Sequence, residues 1–196
     1  MASNTFYASS MSNTTYNALK NGGEYSKERS ASLSVDRLDL GYANFVTSGT
    51  IPQTATINSV TMSAQIKQNR TNTSLYQTSI EEQLYVGSTA KSSNNISDIV
   101  ADSYTTKSYT NSSSITSSSL YTNGARIRIY MRYKGTLKTT QYIKNVKIVV
   151  NWDAIYATGL SLSSSSLTLY IGGTQTLTPT YTPSAISYPR SYLYIK

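Results

Sequence analysis

The chain contains no cysteine and no histidine. Without cysteine there are no disulfides, and nothing ties the fold to an oxidising compartment. Thiolate and imidazole metal ligands are missing together, so no metal or cofactor is expected. A nucleophile activated by histidine is excluded on the same ground. Charge is scarce, at 13% of residues, and tryptophan occurs once and phenylalanine twice. No run approaches the length of apolar sequence that a membrane helix needs. The opening residues, MASNTFYASSMSNTTYNALK, lack a basic start followed by an apolar run, so no signal peptide is expected. Strong helix formers never assemble into an amphipathic stretch.

What the chain has instead is serine (33), threonine (27) and asparagine (14), together with 18 tyrosines in 196 residues. Threonine, tyrosine, valine and isoleucine suit a pleated, half-buried surface, and serine, asparagine and glycine supply turns. Short strands are expected over Leu33 to Leu38 and Ala43 to Val46, with a turn at Gly22-Gly23. Next comes a clear alternation in which Val60, Met62, Ala64 and Ile66 share one face. Residues 67 to 76 read as a polar loop, and Glu82 to Val86 as a strand closed by Gly87-Ser88. The serine-rich stretch 88 to 119 contains a short helix around Ile96 to Ala101 and weak strands. The strongest strand runs from Ala125 to Tyr133, with Ala125, Ile127, Ile129, Met131 and Tyr133 on one face and Arg126, Arg128, Tyr130 and Arg132 on the other. Lys134-Gly135 turns the chain. Gln141 to Trp152 is the last long strand, with Val146, Ile148, Val150 and Trp152 inward.

Strands divided by turn clusters, with no helical period, predict an all-β chain. Residues 1–153 are expected to form a jelly-roll-like antiparallel β-sandwich. Residues 154–157 form a linker. Beyond Asp153 there is no acidic residue, and a new alternation begins at Thr158.

Residues 158–183, TGLSLSSSSLTLYIGGTQTLTPTYTP, resemble the start of a group 2 bacterial Ig-like domain. The family opens with Thr-Gly-hydrophobic-x-Leu, a serine-rich turn, Leu-x-Leu-x-hydrophobic and a Gly-Gly-Thr-x-x-Leu turn-and-strand, all present here. Residues 184–196, SAISYPRSYLYIK, depart from the family pattern. The resemblance implies a partial Ig-like sandwich over 158–196. More loosely, the first unit is similar to sandwich modules of tail and capsid-surface proteins of phages of Gram-positive bacteria. The residues concerned are Ile51 to Val60, Gln83 to Ser88 and Ile143 to Trp152. That similarity implies a virion structural protein on the capsid, neck or tail, made in the host cytoplasm. The Ig-like segment would dock or display. The alternative is a carbohydrate-binding adhesion module for bacterial wall glycans.

Catalysis finds little to work with. Glu81 and Glu82 are adjacent, so in a strand they point to opposite faces. Asp98 and Asp102 could share one helix face. Both pairs read as solvated surface, and no enzyme activity is expected. The basic residues are the sharper feature. Arg126, Arg128, Arg132, Lys134, Lys138, Lys144 and Lys147 fall within 22 positions with no acid among them. Arg126, Arg128, Tyr130, Arg132 and Lys134 are therefore candidates for contact with an acidic protein or glycan. The competing reading, given the greater weight, is a charged outer face that keeps a sandwich soluble. Tyr188, Tyr192 and Tyr194 are further candidates, since tyrosine pairs an apolar body with a polar tip. The expected partners are other virion proteins or copies of this chain. A nucleic-acid partner is disfavoured, because no RNA or DNA module is recognisable.

Overall fold

In the computed structural model the described residues are 1–70, 76–99, 102–111, 115–163, 168, 171–172, 174 and 176–182. The chain runs through β1 (Ala2–Tyr7), β2 (Ser10–Met11), β3 (Glu24–Arg29), β4 (Ser32–Phe45) and β5 (Thr56–Gln68). It continues through β6 (Tyr76–Val86), β7 (Thr89–Ala90), β8 (Asn95–Asp98), β9 (Thr105–Asn111) and the helix α1 (Ser117–Asn123). Then come β10 (Ala125–Gly135), β11 (Thr139–Asp153), β12 (Gly159–Leu162) and β13 (Pro179–Thr182).

The pairings define a rolled ribbon. Take β3, β4, β5, β6, β8, β9, β10 and β11 in order. The first pairs with the last (β3 with β11), the second with the seventh (β4 with β10), the third with the sixth (β5 with β9), and the two middle strands with each other (β6 with β8). Folding that ribbon over gives two antiparallel sheets, β3-β11-β5-β9 and β4-β10-β6-β8. Further pairings, β11 with β5 and β10 with β6, hold the four ribbon rungs together. This is the jelly roll, an all-β solution that wraps two Greek keys into a double sheet. β1 adds to the first sheet beside β11, and the short β2 and β7 to the second.

The core follows from the period-two pattern. Val60, Met62, Ala64 and Ile66 from β5 are buried against Ala125, Ile127, Ile129 and Met131 from β10, with Ile80 and Leu84 from β6. Fully burying one such aliphatic side chain contributes about 1.5–3 kcal/mol. On β11, Gln141 and Ile143 face inward, and so do Val146, Ile148, Val150 and Trp152, although the parity differs. The reconciliation is a bulge. Asn145 takes φ 52, and the register against β5 shifts between Lys144 and Lys147.

Several features differ from the expectation. The two short strands before residue 50 are one strand, β4, interrupted by Gly41 at φ 79 where the register against β10 shifts. A Cβ on Gly41 would lie 2.5 Å from Ser12 Oγ, so glycine there marks a bulge rather than a strand end. The helix expected around Ile96 to Ala101 is instead β8, up to Asp98, because it pairs with β6 from Glu82 to Ser79. β10 also runs through Lys134-Gly135, and the turn comes after it. The helix α1 was not foreseen. It is capped by Thr116, whose side chain accepts from the Ser119 N–H, and ended by Gly124 at φ 66. A 3-10 segment over Thr14–Gly22 buries Tyr16 and Leu19.

One end of the sandwich is polar inside. Arg29, 3% exposed, donates to Met131 O (3.1 Å) and to Asp36, and so ties β3 of one sheet to β10 and β4 of the other. Gln141 donates to Arg132 O at 2.8 Å, and Gln68 to Ile99 O at 2.6 Å. Beyond β11, β12 pairs with β13 over Gly159–Leu162 and Pro179–Thr182. Much of the remaining expected Ig-like pattern, including most of Leu167 to Ile171, lies outside the described residues.

Candidate functional site

The arginine stripe occupies the outer face of the β4-β10-β6 sheet, and the alternation of β10 places it there. Ile127 and Ile129 are fully buried, while Arg126, Arg128, Tyr130 and Arg132 alternate with them to the other side. All four are half-buried. β10 lies between β4 and β6, so its outward side chains are flanked on both sides. Arg128 stands opposite Tyr42 and Gln83, Tyr130 opposite Asp39 and Glu81, and Arg132 opposite Arg37 and Ser79.

The result is a lattice of guanidinium groups and rings. Arg126 lies 4.5 Å from the Tyr42 ring centroid, Arg128 5.0 Å from that of Tyr130, and Arg37 4.1 Å from Tyr130 on its other flank. Tyr42 meets Tyr85 edge-to-face at 5.3 Å. Lys134, the last candidate on the strand, is exposed.

The acids missing from the sequence neighbourhood arrive from the adjacent strands. Arg128 pairs with Asp39 at 2.8 Å. Glu81 receives Arg37 at 2.6 Å, Asn94 at 3.0 Å and Arg132 at 3.7 Å. Enclosed by these donors, Glu81 is buried on the outer face. The hydrogen bond to Asp39 holds the Arg128 guanidinium charged more firmly than usual. Burial first, and then the Asp39 carboxylate, keep the Tyr130 phenol above its ordinary pKa, against the pull of Arg128 and Arg37. Donors still outnumber acceptors. The Nε atoms of Arg126, Arg128 and Arg132 are covered and have no hydrogen-bond acceptor.

Glu82 points the other way, into the core, where it is 3% exposed and its Oε1 has no partner. Burial alone pushes its carboxyl up to about 7. Glu81 and Glu82 are thus on opposite faces, as alternation requires, but both are buried rather than solvated. They cannot act as a carboxylate pair on one substrate. Asp98 lies on β8 and Asp102 beyond it, both exposed, so the shared helix face does not form. Among the described residues no group of three acidic, histidine or cysteine side chains converges on a metal position. A cavity of about 620 Å³ sits where Trp152, Asp153 and Tyr156 meet Asn4, with Trp152 Nε1 donating to Asn4 Oδ1 at 2.7 Å. Tyr188, Tyr192 and Tyr194 lie outside the described residues.

No protein-family model matches the chain, and no curated protein matches it. Solved structures of infectious bursal disease virus align with it at low similarity. For the Gx strain structure the TM-score is 0.35 and the identity 9%, over 78% of this chain and 37% of that one. For the Gt strain the TM-score is 0.35 and the identity 11%, over 76% and 32%. The crystal structure of that virus's VP2 subviral particle gives 0.33 and 8%, over 78% and 37%. The chain spans about a third of the length of these viral chains. The jelly-roll assignment stands on the strand pairings themselves.

Proposed function

We propose that this protein is a phage virion structural component, assembling on the capsid, neck or tail as a decoration or adaptor protein. The observation that carries the reading is the complete jelly-roll roll-up, an architecture used by viral capsid and lectin domains among others. The outer face of β10 is the proposed contact. Arg126, Arg128, Tyr130 and Arg132 are held in place by stacking and ion pairs, so little side-chain freedom is lost on docking. The four guanidinium groups of Arg37, Arg126, Arg128 and Arg132 exceed the two carboxylates of Asp39 and Glu81, and the surplus positive charge favours a partner rich in acceptors, such as an acidic protein surface or a further copy of this chain. The unit over 158–196, joined through 154–157, is assigned docking or display. Recognition of wall sugars needs open aromatic faces, and on this sheet guanidinium groups cover the rings of Tyr42 and Tyr130.

Co-sedimentation tests the proposal. Purified full-length protein, mixed with particles from which it has been stripped, should pellet with them at a fixed stoichiometry. Recovery of the protein only in the supernatant, with particles that contained none before stripping, would overturn the assignment.

A further inference from the structure

The sheet opposite the arginine stripe carries a second cationic cluster that sequence order disperses. Lys67 lies on β5, Tyr142 and Lys144 on β11, and Tyr104 just before β9. Lys67 alternates with the buried Ile66 and Gln68, and Tyr142 and Lys144 with the buried Gln141 and Ile143, so all three project from the outer face. Register places Lys67 opposite Tyr142. The Lys67 ammonium lies 4.7 Å from the ring centroids of both Tyr104 and Tyr142. The Lys144 ammonium lies 3.8 Å from the same Tyr104 ring. Two ammonium groups therefore share one aromatic ring.

This differs physically from the arginine face. Arg37, Arg128 and Arg132 each have a carboxylate. Among the described residues neither Lys67 nor Lys144 makes an ion pair. The neighbouring acid is Glu24, opposite Lys144 in the β3–β11 register. Burial first, and then the Glu24 carboxylate, hold the Tyr104 hydroxyl protonated. Ring faces attract the two cations but do not neutralise them, and like charges held near each other repel. A compact multivalent anion bound beside this pair of ammonium groups would offset that repulsion. Lysine binds phosphate as a point charge without needing a planar fork, which suits a tetrahedral oxyanion approaching from solvent.

We propose that Lys67, Lys144, Tyr104 and Tyr142 form a binding site for a phosphate group on the outer face of the β3-β11-β5-β9 sheet. The site lies on the sheet opposite the one assigned to assembly and does not depend on that assignment. The phosphate can be free or carried on a phosphodiester or polyphosphate chain, and these sources are separable.

Inorganic phosphate and a short polyphosphate are titrated into the full-length protein by calorimetry at low salt, with chloride as the anion control. One-to-one saturable binding is expected, weakening with added salt. Lys67→Gln and Lys144→Gln should each weaken it about fivefold to tenfold, and the double variant should abolish it. Lys67→Arg should retain most of it. Lys91→Gln, which removes the same charge from a position just after β7 on the other sheet, should leave it unchanged. Per-phosphate affinity higher for the chain than for the free ion identifies a polymer as the source, and equal affinity identifies the ion. The proposal is overturned by the absence of saturable binding at millimolar phosphate. It is equally overturned if the Lys91→Gln variant loses as much affinity as the Lys67 or Lys144 variants, all having first been shown to unfold cooperatively.

Discussion

Glu82 makes this fold sensitive to pH in a direction that can be stated in advance. Its carboxyl is buried between β10 and β8, opposite Ile129 and Asn95, with Oε1 unpartnered. Burial raises its pKa from 4.5 to about 7. An acid with a raised folded pKa binds more protons in the folded state than in the unfolded state. Stability is therefore greatest below the unfolded pKa, falls as pH rises from about 4.5 to about 7, and is flat above. At 1.36 kcal/mol per pKa unit the loss comes to about 3 kcal/mol. Glu82→Gln keeps the shape and removes the ionisation. Urea unfolding of both proteins across that pH window is the assay. The difference in stability between variant and wild type should shift by about 3 kcal/mol in the variant's favour between the acidic and alkaline ends. Parallel pH profiles would refute the reasoning and mean that Glu82 is hydrated or paired in solution.

Other substitutions probe the packing and the face. Ile129→Ala should cost about 2–4 kcal/mol in urea unfolding, whereas Arg128→Ala, whose ion pair with Asp39 is open to solvent on both sides, should cost under about 1 kcal/mol; equal costs would mean that the register of β10 is wrong. Arg29→Met strips a buried cation from a site where it joins both sheets and leaves the Met131 and Asp36 acceptors without it, so a loss of about 3 kcal/mol or more is expected by the same method. Gly41→Ala should destabilise by about 1–3 kcal/mol, since it combines strain at φ 79 with the approach to Ser12, and a neutral effect would remove the bulge from the account. Arg128→Glu with Arg132→Glu should abolish co-sedimentation with particles while leaving cooperative unfolding in place.

How much of this was legible depended on how local the signal is. β10 and β5 were read correctly because alternation is a property of consecutive residues, and their inward faces are those expected. β4 was split in two because a glycine inside a strand looks the same in sequence whether it ends the strand or bulges it. Only Ser12, contributed by the segment after β2, shows which. The orientations of Glu81 and Glu82 were right, and their solvation was wrong. Alternation fixes direction, but burial depends on Arg37, Asn94 and Arg132 closing over Glu81 and on the opposite sheet closing over Glu82. The stripe Arg126 to Lys134 was found from its lack of interleaved acids, and that same rule hid the neutralisation, since Asp39 and Glu81 belong to the neighbouring strands. α1 had a cap signal in Thr116 and Gly124, but its serine-rich interior offers no helical period. The lysine and tyrosine cluster was invisible, because its members come from separate parts of the roll.

The central claim is that this jelly roll is a repeated part of a virus particle. Electron cryomicroscopy of the intact particle, at a resolution that separates strands, tests it most directly. The account predicts density for this chain at symmetry-related positions, traceable as β3 beside β11 and β4 beside β10, with the Arg126–Arg132 face of β10 against a neighbouring subunit. A particle whose density is fully assigned to other chains, with none left for this one, would contradict it.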